Sequence, residues 1–299
     1  MKKNQLGNSS IYVSELGLGC MSLQAANEEE GVRIIHEAID KGITFFDTAD
    51  LYEYGLNESL VGKALKEKRS DVILATKVGN RPNENKDGWS WDPSKAYIKK
   101  AVKASLQRLK TEYIDLYQLH GGTIEDPIDD TIEAFEELKH EGYIREYGIS
   151  SIRPNVIRQY VQKSNIVSVM SQYSILDRRP EEEILDLLHE NNISVIARGP
   201  VAKGMLTKEW REKVKGNYLD YSQEDIKVLL EKMEGSGENI TSLALAYATH
   251  HPAVATAIPG ARTLEQLRDV VEAIQNNHVS NQLVFIKEWS KPSKYEAHR

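Results

Sequence analysis

One cysteine, Cys20, stands in a chain of 299 residues. A single thiol rules out an internal disulfide and fits a reducing compartment, so the protein is expected in the cytoplasm. Long apolar runs are missing as well: no stretch approaches the roughly 18 apolar residues that a membrane span needs. The opening MKKNQLGNSS is basic, but the apolar residues after it are interrupted by Glu15 and two glycines, so no signal peptide is read. Positive charge is in deficit. The formal net charge of -7 gives no overall attraction to nucleic acid or to an anionic membrane. No linker or shift in composition divides the chain, which is read as one domain over 1–299. No metal-ligand spacing occurs either, since His250 and His251 stand alone near a helix end, and nothing sets an oligomeric state.

What is present is a rhythm. After a hairpin expected over 2–13, turning at Gly7-Asn8, short apolar segments alternate with amphipathic ones. Strands are expected at 16–19, 43–46, 72–76, 113–119, 144–149, 167–170, 193–197 and 254–258. Helices are expected at 28–41, 57–66, 92–109, 129–141, 154–163, 180–191 and 263–276, with Asp92-Pro93 opening the third. Two further helices fall near 222–234 and 239–250, after the irregular basic segment 201–221. Most strands lack inside–outside alternation, which marks a parallel sheet buried on both faces. Eight such units predict an α/β fold of the closed (β/α)8 barrel (TIM barrel) kind, a single domain whose N-terminal β-hairpin closes the bottom. The rival doubly wound sheet is supported only by Gly17-Leu18-Gly19, and Ser22 stands where its third glycine belongs.

Function in such a barrel sits at the carboxyl ends of the strands. There the sequence puts Asp47 after the second strand, Lys77 after the third and His120 after the fourth, with Tyr52 in the adjoining loop. Each has a bland reading taken singly: Asp47 as a turn cap, Lys77 reaching solvent, His120 satisfying a carbonyl, Tyr52 covering apolar surface. Together they suit proton transfer. A free phenol, with a pKa of about 10, exchanges protons poorly near neutrality. An ammonium held beside it by a carboxylate favours the phenolate. Tyr52 then serves as proton donor to a carbonyl oxygen, and His120 as a hydrogen-bonding partner of that oxygen. No nucleophile accompanies the four, so the hydride for a small carbonyl substrate has to come from an organic cofactor.

The stretches GITFFDTADLYEYGLNESLVGKAL, ATKVG, YIDLYQLHG, REYGISS, SQYSILDRRPEEEILDLLHENNISVIARGP and AIPGARTLEQLRDV occur in this order. In them the chain resembles the aldo-keto reductases from end to end. That resemblance implies a (β/α)8 barrel that reduces aldehydes and ketones with NADPH, and places the catalytic four on Asp47, Tyr52, Lys77 and His120. It implies that Ser150 and Gln172, with Ser151, hold the nicotinamide carboxamide, and that Gly19, Cys20 and Met21 line the nicotinamide ribose beside Asp47. Arg198 falls where many members stack an aromatic ring on the nicotinamide. Gly199, Pro200, Val201, Gly204 and Leu206 would run along the pyrophosphate, and Gly260, Arg262 and Gln266 match the stretch that grips the adenosine 2'-phosphate. Ser151 replaces the usual Asn, Gly260-Ala261 a common Lys-Ser, and Val270 the Asn that commonly reads adenine, so NADH remains open as a cofactor.

Other features keep two readings. The cations Lys203, Lys208, Arg211, Lys213 and Lys215 form either a solvated loop or a flap over the pyrophosphate hinged at Gly204 and Gly216. Trp89 and Trp91 either wall the substrate pocket or pack on the rim. Two rival functions are a cofactor-binding sensor or regulatory subunit with little turnover, and a metal-dependent hydrolase on the same barrel. The first has no use for a proton donor, and the second lacks strand-end His-x-His. The tail, ending KPSKYEAHR, reads as partly mobile.

Overall fold

The β-branched and aromatic runs become the staves of a barrel. The computed structural model describes residues 1–85, 87–275 and 282–299. The strands β1 (Leu18–Gly19), β2 (Phe45–Asp47), β3 (Ile73–Val78), β4 (Ile114–Leu119), β5 (Ile144–Ser150), β6 (Ser168–Gln172), β7 (Ser194–Arg198) and β8 (Val254–Ile258) pair in chain order, all parallel. The ends are drawn together by a parallel bridge between Leu16 and Ala257 and by the Gly17 and Gly19 amides, which donate to the carbonyls of Ala257 and Pro259. The result is a single α/β domain, the eight-stranded barrel that the alternating pattern predicts.

The helices α1 (Glu28–Asp40), α2 (Leu56–Leu65), α3 (Lys95–Leu109), α4 (Ile128–His140), α5 (Pro154–Lys163), α6 (Ile184–Glu190), α7 (Gln223–Gly235), α8 (Ile240–His250), α9 (Leu264–Gln275) and α10 (Gln282–Trp289) surround it. Their apolar faces and the outward side chains of the strands make the larger core. A second, smaller core fills the barrel's amino end. There Leu6, Ile11 and Val13 of the hairpin (Lys3–Gln5 with Tyr12–Ser14) meet the inward Phe45, Ala75, Leu116, Met170 and Ile196. The Asn4 amide donates to Ala255 O (2.8 Å) and the Gly7 amide to Ser194 Oγ (2.7 Å), so the expected plug is in place.

Several boundaries differ from expectation for identifiable reasons. The cap of α3 is Ser94, whose hydroxyl accepts from Tyr97 N, because the Asp92 carboxylate is taken up by the Ser94 amide and hydroxyl. The helix expected over 180–191 is a 3-10 turn (Arg179–Glu182) followed by α6, with the extended φ of Glu183 between them. The loop after β3 contains a short antiparallel pair, Asn80–Pro82 with Trp89–Trp91. The tail also departs from expectation. It carries α10, and the buried Arg178 guanidinium donates to Lys287 O and to Ser290 O and Oγ, while Ser293 Oγ accepts the Arg178 amide. Tyr295 is buried there as well. Asn276 and residues 277–281 lie outside the described residues.

Candidate active site

Successive side chains in a strand alternate sides, so residues two apart share a face. Phe45 and Ala75 point into the lower barrel; Asp47 and Lys77, two residues on, therefore point into its carboxyl end. Leu116 and Gln118 repeat the pattern on β4. The register sets Lys77 beside Gln118 and Asp47 one inward step lower, beside Ala75, so an acid, an amine and an amide all face the carboxyl end of the barrel. His120 follows at the exit of β4, its amide donating to Val78 O at 2.7 Å.

Lys77, 1% exposed, points inward. Its Nζ lies 2.6 Å from Asp47 Oδ1, 2.7 Å from the Thr48 carbonyl and 3.2 Å from the Tyr52 hydroxyl. Three acceptors around one nitrogen match the three N–H bonds of an ammonium. Burial opposes that charge, but the Asp47 carboxylate and the Tyr52 oxygen outweigh it, and Lys77 is held above its ordinary value. Burial raises Asp47, while Lys77, a hydrogen bond from Gln118 Nε2 (3.2 Å) and the charge of Arg198 act in the opposite sense. The contacts fit an ion pair, each charge compensating the other away from water.

Tyr52 reaches this pair from a strained loop. Glu53 and Tyr54 adopt left-handed backbone, which costs each of order 1 kcal/mol, and Gly55 follows with φ +91°. The turn is tied down where Glu53 Oε2 accepts the Ala25 amide at 2.9 Å. The His120 ring stands edge-on to Tyr52, centroids 6.0 Å apart. Burial, then the charges of Lys77 and Arg198, push its pKa down to about 3, so the imidazole is neutral throughout the physiological range.

Beneath the four lies a polar support that sequence reasoning missed. Asn57 is read from sequence only as a helix opener, yet it is fully buried. Its amide donates to the carbonyls of Cys20 and Leu23 and its oxygen accepts from Thr48 Oγ1. Glu58, also fully buried, accepts from Thr76 Oγ1 and Arg108 Nε, both at 2.6 Å. The available signal was a pair of polar residues in the first turn of a helix whose later residues are mostly apolar.

The remaining predicted residues spread along the same rim. Gly19 and Gly260 lie close together where the first and last strands meet, and a Cβ on Gly260 would lie 2.8 Å from Ser22 Oγ. The Cys20 thiol is buried, which pushes its pKa up, whereas Met21 is exposed. Ser150 and Gln172 end β5 and β6; Gln172 Nε2 donates to Tyr218 OH at 2.8 Å. Ser151 Oγ accepts the Arg153 amide. Arg198 is exposed at the end of β7, and its charge is felt at both Asp47 and His120. Gly199 has φ +67°, Pro200 and Leu206 are buried, Val201 is half-buried and Gly204 has φ +89°. The segment after them is anchored by buried Trp210, by Lys208 against Asp269 (2.8 Å) and by Arg211 against Glu234 (2.6 Å). Arg262 and Gln266 are exposed at the start of α9, where Gln266 Oε1 accepts the Arg262 amide. Trp91 packs its ring over Gly79 and Gly121 and donates Nε1–H to Asp126 Oδ1 at 2.9 Å; Trp89 is exposed.

An inward ion pair, a phenol and a neutral imidazole at the carboxyl rim of a parallel barrel define the class: a barrel oxidoreductase framework of the aldo-keto type. The family model described as "Aldo/keto reductase family" matches residues 15–290, and the chain belongs to that family of oxidoreductases. It is 54% identical to the uncharacterized oxidoreductase YqkF of Bacillus subtilis (strain 168), with both chains covered completely. It is 32% identical to the NADH-specific methylglyoxal reductase of Escherichia coli (strain K12), covering 93% of this chain and 94% of that one. The holo form of aldo-keto reductase AKR11C1 from Bacillus halodurans superposes with a TM-score of 0.96 at 55% identity, covering 100% of this chain and 99% of that one. The apo form of the same protein gives 0.87, so this backbone is nearer the holo arrangement.

Proposed function

We propose that the protein is an NADPH-dependent carbonyl reductase in which Tyr52 is the proton donor, Lys77 and Asp47 bias that phenol, and His120 orients the substrate oxygen. The observation that carries this reading is the Lys77 ammonium, 2.6 Å from Asp47 and 3.2 Å from the Tyr52 oxygen. The residues at the rim fit a nicotinamide dinucleotide: Ser150 and Gln172 for the carboxamide, Arg198 as a planar stacking partner, and Gly199 to Leu206 along the pyrophosphate. When bound, that cofactor supplies the hydride that the side chains lack. Tyr52 gives its proton to the carbonyl oxygen as negative charge gathers there, and the adjacent ammonium stabilises the charge left on the phenol oxygen. His120, neutral, offers one N–H to the same oxygen. A reducing, cytoplasmic setting accords with this chemistry.

NADPH is favoured over NADH because Arg262 is exposed just before the amino end of α9, where backbone N–H groups attract phosphate. Replacing Arg262 with alanine is expected to raise the KM for NADPH about tenfold, in keeping with ~1.4 kcal/mol for a charged contact, and to leave that for NADH within about twofold. Equal effects on the two would reject the assignment.

The substrate is an aldehyde or ketone with an apolar body. Exposed Met21, Trp89, Ile124, Ile152 and Leu219 stand on loops that follow the carboxyl ends of strands, and exposed Leu56 opens the helix that follows one of them. Apolar side chains gathered at one mouth bind apolar ligands. Straight-chain and aromatic aldehydes should therefore be reduced with NADPH, with kcat/KM rising roughly two- to fourfold per methylene over the first few, the scale of ~0.8 kcal/mol for a buried CH2. No oxidation of NADPH across that series would sink the reductase reading; a flat series would sink only the apolar-body part.

A further inference from the structure

Asp50 has no place in the mechanism above, yet it is a buried carboxyl, 4% exposed, three residues past Asp47 and two before Tyr52. Its amide reaches the Lys77 carbonyl at 3.4 Å, which puts it directly behind the site. Neither carboxyl oxygen has a side-chain hydrogen-bond partner. The charged and titratable groups facing it are Glu58 from α2, Arg108 and Tyr97 from α3, Tyr117 from β4 and Lys77 from β3. The cations there are already engaged: Lys77 lies 2.6 Å from Asp47, and Arg108 lies 2.6 Å from Glu58. Three acids therefore share two cations, and Asp50 is the one left over. A buried carboxylate with no cation of its own costs far more than the neutral acid. Burial, with the negative Glu58 adding to it, pushes the Asp50 pKa up to about 8, against the weaker pull of Arg108, the Leu51 amide and Lys77.

On the reductase reading of the site, we propose that Asp50 is a positioning residue: carried as the neutral acid, it keeps the ground behind Lys77 and Tyr52 free of excess negative charge. Loss of its proton places an anion beside the ion pair. That anion opposes the negative charge growing on the substrate oxygen and slows turnover.

The test compares wild type with Asp50→Asn. In the wild type, kcat with NADPH and an aldehyde should fall about tenfold from neutrality to well above the Asp50 pKa, the size of a one-unit electrostatic effect. In Asp50→Asn, which cannot ionise, that alkaline decline should vanish. The same decline in both proteins would overturn the proposal. Two readouts need no turnover and so separate this idea from the reductase assignment. Because the folded pKa lies above the unfolded value of about 3.9, the folded state holds an extra proton between the two, and wild-type stability falls as pH rises through that window. The Tm advantage of Asp50→Asn should accordingly widen from about pH 4 to about pH 8 and then level off; a constant gap overturns the proposal. Should the variant not fold, carbon-13 NMR of wild type labelled at its aspartate carboxyls decides the matter. An aspartate resonance titrating near pH 8 supports the proposal, and none moving above the ordinary carboxyl range rejects it.

Discussion

Tyr52→Phe is expected to lower kcat by about 10²- to 10⁴-fold, the span of a lost general acid, while cofactor affinity stays within about twofold. The substitution removes one oxygen and leaves the ring that stands against His120. The Lys77 ammonium keeps two of its three acceptors, Asp47 Oδ1 and the Thr48 carbonyl, so the fold should hold. Loss confined to turnover would mean that the oxygen matters in the transition state and not in binding. The measurement is steady-state kinetics with NADPH alongside fluorescence titration of the cofactor. A variant that kept its turnover would show that another group delivers the proton.

Lys77→Met is expected to damage both chemistry and stability. Methionine fills much of the lysine's volume but leaves Asp47 buried and unpaired, which costs about 3–5 kcal/mol when one partner of an internal ion pair is removed. It also withdraws the positive charge 3.2 Å from Tyr52. Adding Asp47→Asn to Lys77→Met should recover most of the lost stability, because no charge is then stranded, without recovering turnover. Chemical denaturation gives the first quantity and aldehyde reduction the second. If the double variant were no more stable than the single one, the buried pair would not be the source of the loss.

These two residues show where the sequence was legible. Asp47 and Lys77 end apolar runs, and a parallel barrel sends such positions to one rim, so strand order and the carboxyl-end rule were enough to bring them together. Pro154 to Lys163 was bounded correctly because proline at the first helical turn is a local signal. The support under the site was hidden for the opposite reason. Asn57, Glu58 and Asp50 carry polar residue names but lie inside, and only tertiary packing turns a helix's first turn toward the core. The docked tail was hidden likewise: KPSKYEAHR looks solvated until Arg178, more than a hundred residues earlier, is found holding the segment that leads into it.

The hairpin plug has a consequence for how the molecule is made. Residues 3–14 leave the ribosome long before Ala255, one of their partners, and Leu16 likewise precedes Ala257, to which it bridges. This segment thus cannot reach its final position until the eighth strand has been synthesised. Its apolar Leu6, Ile11 and Val13 lack their full set of partners until then, and transiently exposed apolar surface is what chaperones shelter. Closure of the ring joins contacts some 250 residues apart, a slow step by topology alone.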